Sequence, residues 1–392
     1  MPLERKKSVD TVGIPDLPST ETVPESAVWN NLRNGPSKVC ILGSGNWGSA
    51  IAKVIGRNTQ KYFFFKDEVD MWVFEEKING KNLTEIINET HINVKYLPDI
   101  VLPSNIHAEP DLLKAVRGAK IIVFVMPHQF VPNVCARIAS VADPSAVAIS
   151  LCKGFDAENG DFRLISEMIR DTLNIDVSVL SGANVARDVA REQFAEATIG
   201  YKHVDSAQLL QQLFDTPWFR VNAVPDVVGV ELCGALKNVV ALGAGFVDGL
   251  DLGTNTKSAI LRIGIVEMRK FAVEFFSGIV EETFWDSCGF ADLVTTCFGG
   301  RNRKCAERYA RTGQPWDQIE KELLNGQKLQ GTHAAVDVYA FLTKRRRADD
   351  YPLFTTIYKI VTGELQVIDI VNTFKSNIPR AIQKTGTPIA RL

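Results

Sequence analysis

The chain has 392 residues, enough for two domains of ordinary size, and its 45% hydrophobic content is that of a globular protein. A formal net charge of −2 gives no general affinity for nucleic acid or an anionic membrane, so any anion site must be a local cluster of basic residues. The seven cysteines are scattered and form no CxxC pair, which predicts reduced thiols and no metal site. The sequence has no apolar run of about 18 residues and no signal-peptide pattern, so we expect a soluble, intracellular protein.

Residues 1–37 are predicted to form a disordered arm, because Pro, Ser, Thr and Glu follow a basic start at Arg5–Lys7 without apolar periodicity. Ser8 follows these basic residues directly and is a candidate site for a basophilic kinase, with a purely solubilising arm as the alternative. Ordered structure is expected from Lys38.

Between residues 38 and 222 apolar strands alternate with amphipathic helical periods, which predicts a Rossmann-type, doubly wound parallel sheet with helices on both faces. Tyr62–Phe65 is interpreted as an insertion ahead of the second strand. The predicted strands are Lys38–Leu42, Val69–Phe74, Lys120–Val125, Ala146–Leu151, Val177–Leu180 and Thr198–Tyr201.

After Pro225 the pattern changes, and residues 223–376 are predicted to form an all-α second domain. Its segments are long, rich in Ala, Leu and Val, and lack strand alternation. Residues 377–392, with Pro379 and Pro388, are expected to be a flexible tail. The predicted helices are Gly229–Val247, Lys257–Phe276, Ala291–Thr296 and Asp317–Leu324.

The most informative motif is a Gly-x-Gly-x-x-Gly segment between the first strand and a helix. Such a corner binds the pyrophosphate of a dinucleotide, because free N–H groups and the helix dipole favour negative charge there. The first glycine permits the turn, the second admits the phosphates, and the third allows close packing of helix and strand. The segment consists of Gly43, Ser44, Gly45, Asn46, Trp47 and Gly48.

Two acids follow the second predicted strand, where a carboxylate can accept hydrogen bonds from the adenosine ribose. We expect Glu75 or Glu76 to fill this role, with a solvated acid pair as the alternative. No arginine directly follows the strand to bind a 2′-phosphate, so NAD is preferred over NADP.

Candidate catalytic residues lie at strand ends and in an apolar helix. Lys153 follows a strand, and His128 is a weaker candidate for a general base. Lys237 lies in the otherwise apolar segment Cys233–Leu242, where burial would lower its pKa and make it a usable proton donor. A lysine that reaches solvent is the alternative.

A third cluster, Asp292–Asn302, combines threonine hydroxyls with two glycines before Arg301, a flexible turn that can present a guanidinium to a phosphate. The polar loop Asn325–Gly331, bounded by glycines, is a candidate lid over a cofactor.

With these motifs assembled, the chain closely resembles the eukaryotic NAD-dependent glycerol-3-phosphate dehydrogenases over residues 38–375. The resemblance implies a Rossmann domain with a helical domain, a homodimer, and interconversion of dihydroxyacetone phosphate and sn-glycerol 3-phosphate. The matching strings are GSGNWGSAIAK, MWVFEE, LTEIIN, NVKYLP, VMPHQF, CGALKNVVALGAGF, ADLVTTCFGGRNRK and KELLNGQKLQG.

The resemblance also implies roles for individual residues. Lys237 corresponds to the catalytic lysine, which Asp292 is expected to orient, and Lys153 to a catalytic residue that contacts substrate and cofactor. Arg301 and Asn302 would hold the substrate phosphate, with Arg301 also near NAD. Asn238 and Thr296 match polar positions of the substrate site, while Phe74, Phe130, Ala186, Lys328 and Gln330 match NAD contacts.

Two other functions are compatible with the same motifs. One is a 3-hydroxyacid or sugar-acid dehydrogenase, which the Gly-Gly-Arg turn disfavours; the other is a non-catalytic NADH sensor, which would not need Lys237 beside Arg301. The cytoplasm is the expected location. The C-terminal Ala390–Leu392 resembles the peroxisomal Ser-Lys-Leu address, so a peroxisome-like organelle is the alternative.

Overall fold

The computed structural model describes residues 35–376 apart from Asn159 and Asn325. The predictions for the arm before residue 35, including Ser8, and for the tail after residue 376, including Ala390–Leu392, fall outside the described residues. Within them the predicted fold class is confirmed: a doubly wound sheet forms the N-terminal part and helices form the C-terminal part.

Eight strands form the main sheet in the order β12–β11–β10–β7–β6–β1–β2–β5. The strand order reverses at β1, which pairs with β2 on one side and with β6 on the other. Ligands of such sheets bind where the strand order reverses, beyond the carboxyl ends of the strands. The strands are β1 Ser37–Leu42, β2 Phe65–Trp72, β5 Ile106–Glu109, β6 Ala119–Phe124, β7 Val147–Ser150, β10 Asp176–Ser181, β11 Ala195–Gly200 and β12 Phe219–Val224.

The prediction of an all-parallel sheet is wrong at one edge. Strand β11 pairs antiparallel with β10, and β12 pairs parallel with β11, so these two strands run opposite to the other six. The predicted boundary at residue 222 falls within β12, which ends at Val224. Strand direction is set by how the chain returns to the sheet, and apolar alternation carries no information about it.

Two strands of the sheet are absent from the predicted set. Ile106–Glu109 is short and contains polar residues, and Phe219–Val224 alternates buried with exposed positions at the edge, so neither gives a strong apolar run. Tyr62–Phe65 joins the helix to the second strand: Tyr62 follows the last residue of the preceding helix, and Phe65 begins β2 with its ring buried.

Among the described residues, seven α-helices accompany the sheet, and two short hairpins lie beside it. The hairpins pair β3 Lys77–Ile78 with β4 Lys81–Asn82, and β8 Asp156–Glu158 with β9 Asp161–Arg163. The helices are α1 Asn46–Lys61, α2 Leu83–Thr90, α3 Leu112–Val116, α4 Val131–Ile138, α5 Ile165–Leu173, α6 Ala186–Ala190 and α7 Val204–Phe214.

The C-terminal part is built around one buried helix, α8, at Val227–Gly249. Its glycines permit close contact with a neighbour: a Cβ added at Gly245 would lie 2.3 Å from the carbonyl oxygen of Arg303. The other helices are α9 Gly253–Phe275, α10 Asp292–Gly299, α11 Arg301–Thr312, α12 Trp316–Leu324, α13 Gln330–Lys344, α14 Pro352–Val361 and α15 Asp369–Ser376.

By length and composition α8 is also the one described helix that could cross a membrane. Its most apolar window is 89% buried inside the protein, however, as expected for a helix at the centre of a folded domain. All seven cysteines are buried free thiols, in agreement with the prediction of reduced cysteines.

Candidate functional site

The carboxyl ends of five adjacent strands bring the predicted site residues of the sheet to one edge. The sheet order β2–β1–β6–β7–β10 places Phe74, the segment Gly43–Gly48, Phe130, Lys153 and Ala186 after successive strands. Residues that are far apart in sequence therefore lie in one row along this edge.

The segment Gly43–Gly48, hereafter the glycine corner, is shaped by backbone contacts. Gly43 has φ +121°, and a Cβ there would lie 2.5 Å from the carbonyl oxygen of Val125 at the end of β6. A Cβ at Gly48 would lie 2.2 Å from the carbonyl oxygen of Gly43. At Gly45 a Cβ would meet nothing within 4 Å, which leaves open space in front of the start of α1.

The other residues of the glycine corner hold it in place. The carbonyl oxygen of Ser44 accepts hydrogen bonds from Asn93 Nδ2 at 2.8 Å and Ser49 Oγ at 3.2 Å. Asn46 Nδ2 donates to the carbonyl oxygen of Tyr96 at 2.8 Å, and Trp47 packs into the apolar core beside the sheet. The first turn of α1 contains no acidic residue, so its positive end is left for an external anion.

Two aromatic rings flank the glycine corner and are largely exposed. Phe74 follows β2 with 72% of its surface exposed, and Phe130 lies in a short 3₁₀ turn after β6 with 55% exposed. Exposed aromatic faces on both sides of an anion-binding helix end fit a dinucleotide, whose two bases are flat and apolar.

Lys237, Asp292 and Lys153, hereafter the lysine centre, form the charged core of the site. Lys237 on α8 is 3% exposed, and its Nζ contacts Oδ1 of the buried Asp292 at the start of α10. The other carboxylate oxygen of Asp292 lies 3.3 Å from Lys153 Nζ, at the end of β7. One carboxylate therefore joins a lysine of the helical part to a lysine of the sheet.

Charges inside the lysine centre do not cancel, because two ammonium groups share one carboxylate. Burial lowers the pKa of Lys237 well below its ordinary value, the attraction of Asp292 opposes this shift, and the charge of Lys153 adds to it. The lysine thus becomes able to exchange a proton near neutral pH, and the excess positive charge suits an anionic ligand or transition state.

Other polar side chains surround Asp292. Thr296 Oγ1 lies 3.4 Å from its Oδ1, and Ser181 Oγ, at the end of β10, lies 3.5 Å from its Oδ2. Ser181 and Asn184 were not among the predicted site residues; Asn184 is buried, and its Nδ2 has no hydrogen-bond partner among the described residues. Their position after a strand of the binding edge was the available signal.

The two glycines that were predicted to form a turn before Arg301 lie at the junction of two helices, with Gly299 ending α10. Gly300 precedes the helix, and both residues belong to the first turn of α11, where the glycines separate α10 from α11. Asn302 is buried: its Nδ2 donates to Asn238 Oδ1 at 2.9 Å, and its Oδ1 accepts from the N–H of Gly331 at 2.9 Å. Arg301 is exposed, and its Nη1 donates to Gln327 Oε1 at 2.9 Å.

The loop predicted to cover a cofactor is tied to its neighbours in the described residues. Lys328 Nζ lies 2.9 Å from Glu320 Oε2, and the N–H of Leu329 donates to the other oxygen of the same carboxylate. Gln330 is the first residue of α13. The structure thus brings the Arg301 side chain to this loop, and Lys328 must leave Glu320 before it can reach another anion.

His128 supports the backbone near Lys153. A Cβ at Gly154 would lie 2.8 Å from Nδ1 of the His128 ring, and Gly154 has φ +124°, so both space and backbone conformation require glycine there. Burial lowers the pKa of His128, which keeps the ring neutral at physiological pH. The geometry favours a structural role over general base catalysis.

One further group of ligand atoms lies away from this edge. Carboxylate and ring nitrogen atoms of Glu68, Asp70 and His107 lie within 4.8 Å of one another. Lys38 Nζ already lies 2.7 Å from Asp70 Oδ2, so the charge of this carboxylate is balanced by a lysine.

Comparison with known proteins gives a consistent result over both parts of the chain. Residues 38–207 match the family model of the NAD-dependent glycerol-3-phosphate dehydrogenase N-terminus, and residues 226–372 match that of its C-terminus. The chain is 54% identical to the human protein named cytoplasmic glycerol-3-phosphate dehydrogenase [NAD(+)], a match that covers 82% of this chain and 93% of that protein.

Solved structures give the same result. The Plasmodium falciparum glycerol-3-phosphate dehydrogenase matches with a TM-score of 0.86 and 42% identity over 90% of this chain and 99% of its own. The glycerol-3-phosphate dehydrogenase of Saccharomyces cerevisiae matches with a TM-score of 0.82 and 44% identity over 87% of this chain and 100% of its own.

Proposed function

The chain belongs to the NAD-dependent glycerol-3-phosphate dehydrogenase family, and from this premise we propose how its own residues carry the reaction. The protein is an oxidoreductase that interconverts dihydroxyacetone phosphate and sn-glycerol 3-phosphate with NAD as cofactor. The observation that carries the proposal is the buried Lys237, which shares Asp292 with Lys153 at the edge of the sheet.

The glycine corner fits the pyrophosphate of NAD. Open space at Gly45 admits the phosphates, the N–H groups at the start of α1 bind them, and Phe74 and Phe130 offer exposed faces to the bases. Ala186 lies at the same edge, and Lys328 and Gln330 would complete the enclosure from the helical side. When bound, NADH supplies the hydride that reduces the ketone carbon.

Lys237 serves as the proton donor. Negative charge develops on the carbonyl oxygen as the ketone is reduced, and the Lys237 ammonium stabilises this charge and transfers its proton to the oxygen. In the reverse direction its neutral amine accepts the proton of the hydroxyl group. Asp292 holds Lys237 in position through a direct contact, and Lys153 adds a second positive charge beside the reacting oxygen.

Arg301 holds the substrate phosphate. Its guanidinium is exposed and bound to a neutral amide, so an anion can replace that partner without breaking an ion pair. Phosphate binding far from the reacting carbon supplies energy that fixes the ketone against Lys237. Asn302, Asn238 and Thr296 form the polar wall between the phosphate and the lysine centre.

Domains, assembly and location complete the proposal. Residues 38–222 form the NAD-binding domain and residues 223–376 the substrate-binding domain. The protein is a homodimer, and the exposed side chains of Trp285 and Phe290 support a partner surface. Light scattering of the purified protein tests this assembly. It acts in the cytoplasm, as the name of the human relative suggests, and a reporter fused to residues 376–392 tests the peroxisomal alternative.

A direct assay tests the reaction. The purified chain should oxidise NADH with dihydroxyacetone phosphate and should leave NADH unchanged with a 3-keto acid, because only the first substrate carries the phosphate that Arg301 binds. Turnover with the keto acid alone would favour a hydroxyacid dehydrogenase. Tight NADH binding without turnover of either substrate would favour a sensor.

A further inference from the structure

The carboxylate of Glu76 is held by two residues that lie about twenty positions further along the chain. Its Oε2 forms an ion pair with Lys95 Nζ, and its Oε1 accepts a hydrogen bond from the Tyr96 hydroxyl at 2.9 Å. The Lys95 ammonium also lies over the Tyr96 ring, 4.9 Å from its centroid. This lysine comes from a loop beyond α2, so the local pattern after β2 does not predict the pair.

The neighbouring acid has different partners. Glu75 Oε2 accepts a hydrogen bond from Thr84 Oγ1, and its Oε1 accepts one from the N–H of Thr84 at 3.3 Å. Glu75 therefore belongs to the hydrogen-bond network at the start of α2. Of the two acids, Glu76 is the one whose charge is balanced by a cation.

The position of this ion pair matters for cofactor choice. In dinucleotide-binding sheets the segment after the second strand faces the adenosine ribose, where an acid binds a free 2′-hydroxyl and a basic group binds a 2′-phosphate. Glu76 lies two residues beyond the exposed Phe74, and the loop that holds it contacts the glycine corner, where Asn46 Nδ2 donates to the carbonyl oxygen of Tyr96 at 2.8 Å. The ion pair thus brings an acid suited to NAD and a lysine suited to NADP together beside the glycine corner.

We propose that Lys95 is a phosphate-binding residue kept occupied by Glu76, and that this ion pair determines the preference for NAD over NADP. The proposal rests on the proposed cofactor site. With Glu76 present, the Lys95 ammonium is bound and a 2′-phosphate meets a carboxylate. Once Glu76 is removed, Lys95 and the Tyr96 hydroxyl are both free to bind the phosphate.

Exposure of the pair supports this role. The side chains of Lys95 and Glu76 are 35% and 29% exposed, so a ligand can reach them from solvent. A pair at such a surface gains little stability from its attraction, because water screens the charges. Replacing Glu76 should therefore leave the fold intact and change mainly what Lys95 binds.

Binding of adenosine 2′,5′-bisphosphate tests the proposal without turnover. Calorimetry would compare the wild-type chain with E76S, K95M and E76S/K95M. We expect E76S to bind this probe about tenfold more tightly or better, as a new hydrogen bond to a charged group implies, and E76S/K95M to lose the gain. NADPH-dependent kcat/KM should follow the same order.

The matched control is E75S, which removes the adjacent acid but leaves the Glu76–Lys95 pair intact. No gain in probe affinity is expected for E75S. An equal gain in E75S, or a gain in E76S that survives the loss of Lys95, would overturn the proposal, since either result would mean that the Glu76–Lys95 pair does not determine the preference. Failure of wild-type NADH turnover would count against the proposed function but not against these binding results.

Discussion

The glycine corner places its groups with backbone atoms, whereas the lysine centre places its groups with side chains from distant parts of the chain. In the first, six consecutive residues and one neighbouring strand end determine the shape. In the second, a strand end, α8 and the start of α10 must all be in place before three charged groups meet. The first should therefore be sensitive to added volume and the second to changed charge.

The largest effect is expected from Lys237→Ala. This substitution removes the proton donor and the charge that stabilises the developing oxyanion, so kcat should fall by about 10²–10⁴-fold or more. NADH binding, measured by fluorescence, should survive because the glycine corner is unchanged. A variant with wild-type kcat would contradict the role of Lys237.

Lys257 offers a matched control for this variant. It is another buried lysine, on α9, and it pairs with a different carboxylate: its Nζ lies 2.7 Å from Asp248 Oδ2. Lys257→Met should lower the melting temperature but leave kcat near the wild-type value. If both lysine variants lose turnover equally, the loss in Lys237→Ala is a matter of folding.

Next in size is Arg301→Lys, because a point charge cannot reproduce the two parallel hydrogen bonds of a guanidinium. We expect kcat/KM for dihydroxyacetone phosphate to fall by about tenfold or more. Unphosphorylated dihydroxyacetone should be affected much less. Steady-state assays with both substrates separate the two cases, and an equal loss would show that Arg301 does not hold the phosphate.

Two alanine variants separate folding from binding in the glycine corner. Gly48→Ala pushes a methyl group into the carbonyl oxygen of Gly43 and should reduce both thermal stability and NADH affinity, the latter by about tenfold. Gly45 has φ −63°, and a Cβ there would lie in open space, so the Gly45→Ala variant should fold normally and lose only NADH affinity. Normal NADH binding in Gly45→Ala would show that the phosphates do not approach this residue.

The same contrast explains what the sequence could predict. The glycine corner could be predicted because all its phosphate-binding residues lie within six consecutive positions between a strand and a helix. Lys237 could be identified because a lysine is unusual in an apolar helix, and in the structure it contacts Asp292. Ser181 and Asn184 were missed, since small polar residues at a strand end are common and only the fold brings Ser181 to Asp292.

Local sequence patterns could not predict features that depend on strand direction or on contacts between distant residues. Strands β11 and β12 run opposite to the other six, but their apolar alternation does not depend on strand direction. The two glycines before Arg301 predict a turn, but the sequence does not show that Arg301 begins a helix directly after it. Glu76 was expected either to bind the ribose or to belong to a solvated acid pair, and its pairing with Lys95 appears only in the fold, where the loop after α2 approaches it.

The smallest expected effect is a shift in the pH at which kcat/KM is half-maximal. This shift depends on the charges of the lysine centre. Because burial lowers the pKa of Lys237, its titration should appear well below the ordinary lysine value of about 10.4. Ketone reduction needs the ammonium, so kcat/KM in this direction should fall as pH rises through the pKa. Oxidation of sn-glycerol 3-phosphate needs the neutral amine and should rise over the same range.

Two substitutions should move that midpoint in opposite directions. The Asp292 carboxylate favours the charged form of Lys237 and the Lys153 ammonium disfavours it. Residual activity of Asp292→Asn should therefore titrate at lower pH than wild type, and that of Lys153→Met at higher pH, by about one unit or more for charges this close. Since both variants also lower the rate, the measurement is the midpoint of the pH profile. Shifts of the same sign in both variants would mean that another group controls the profile.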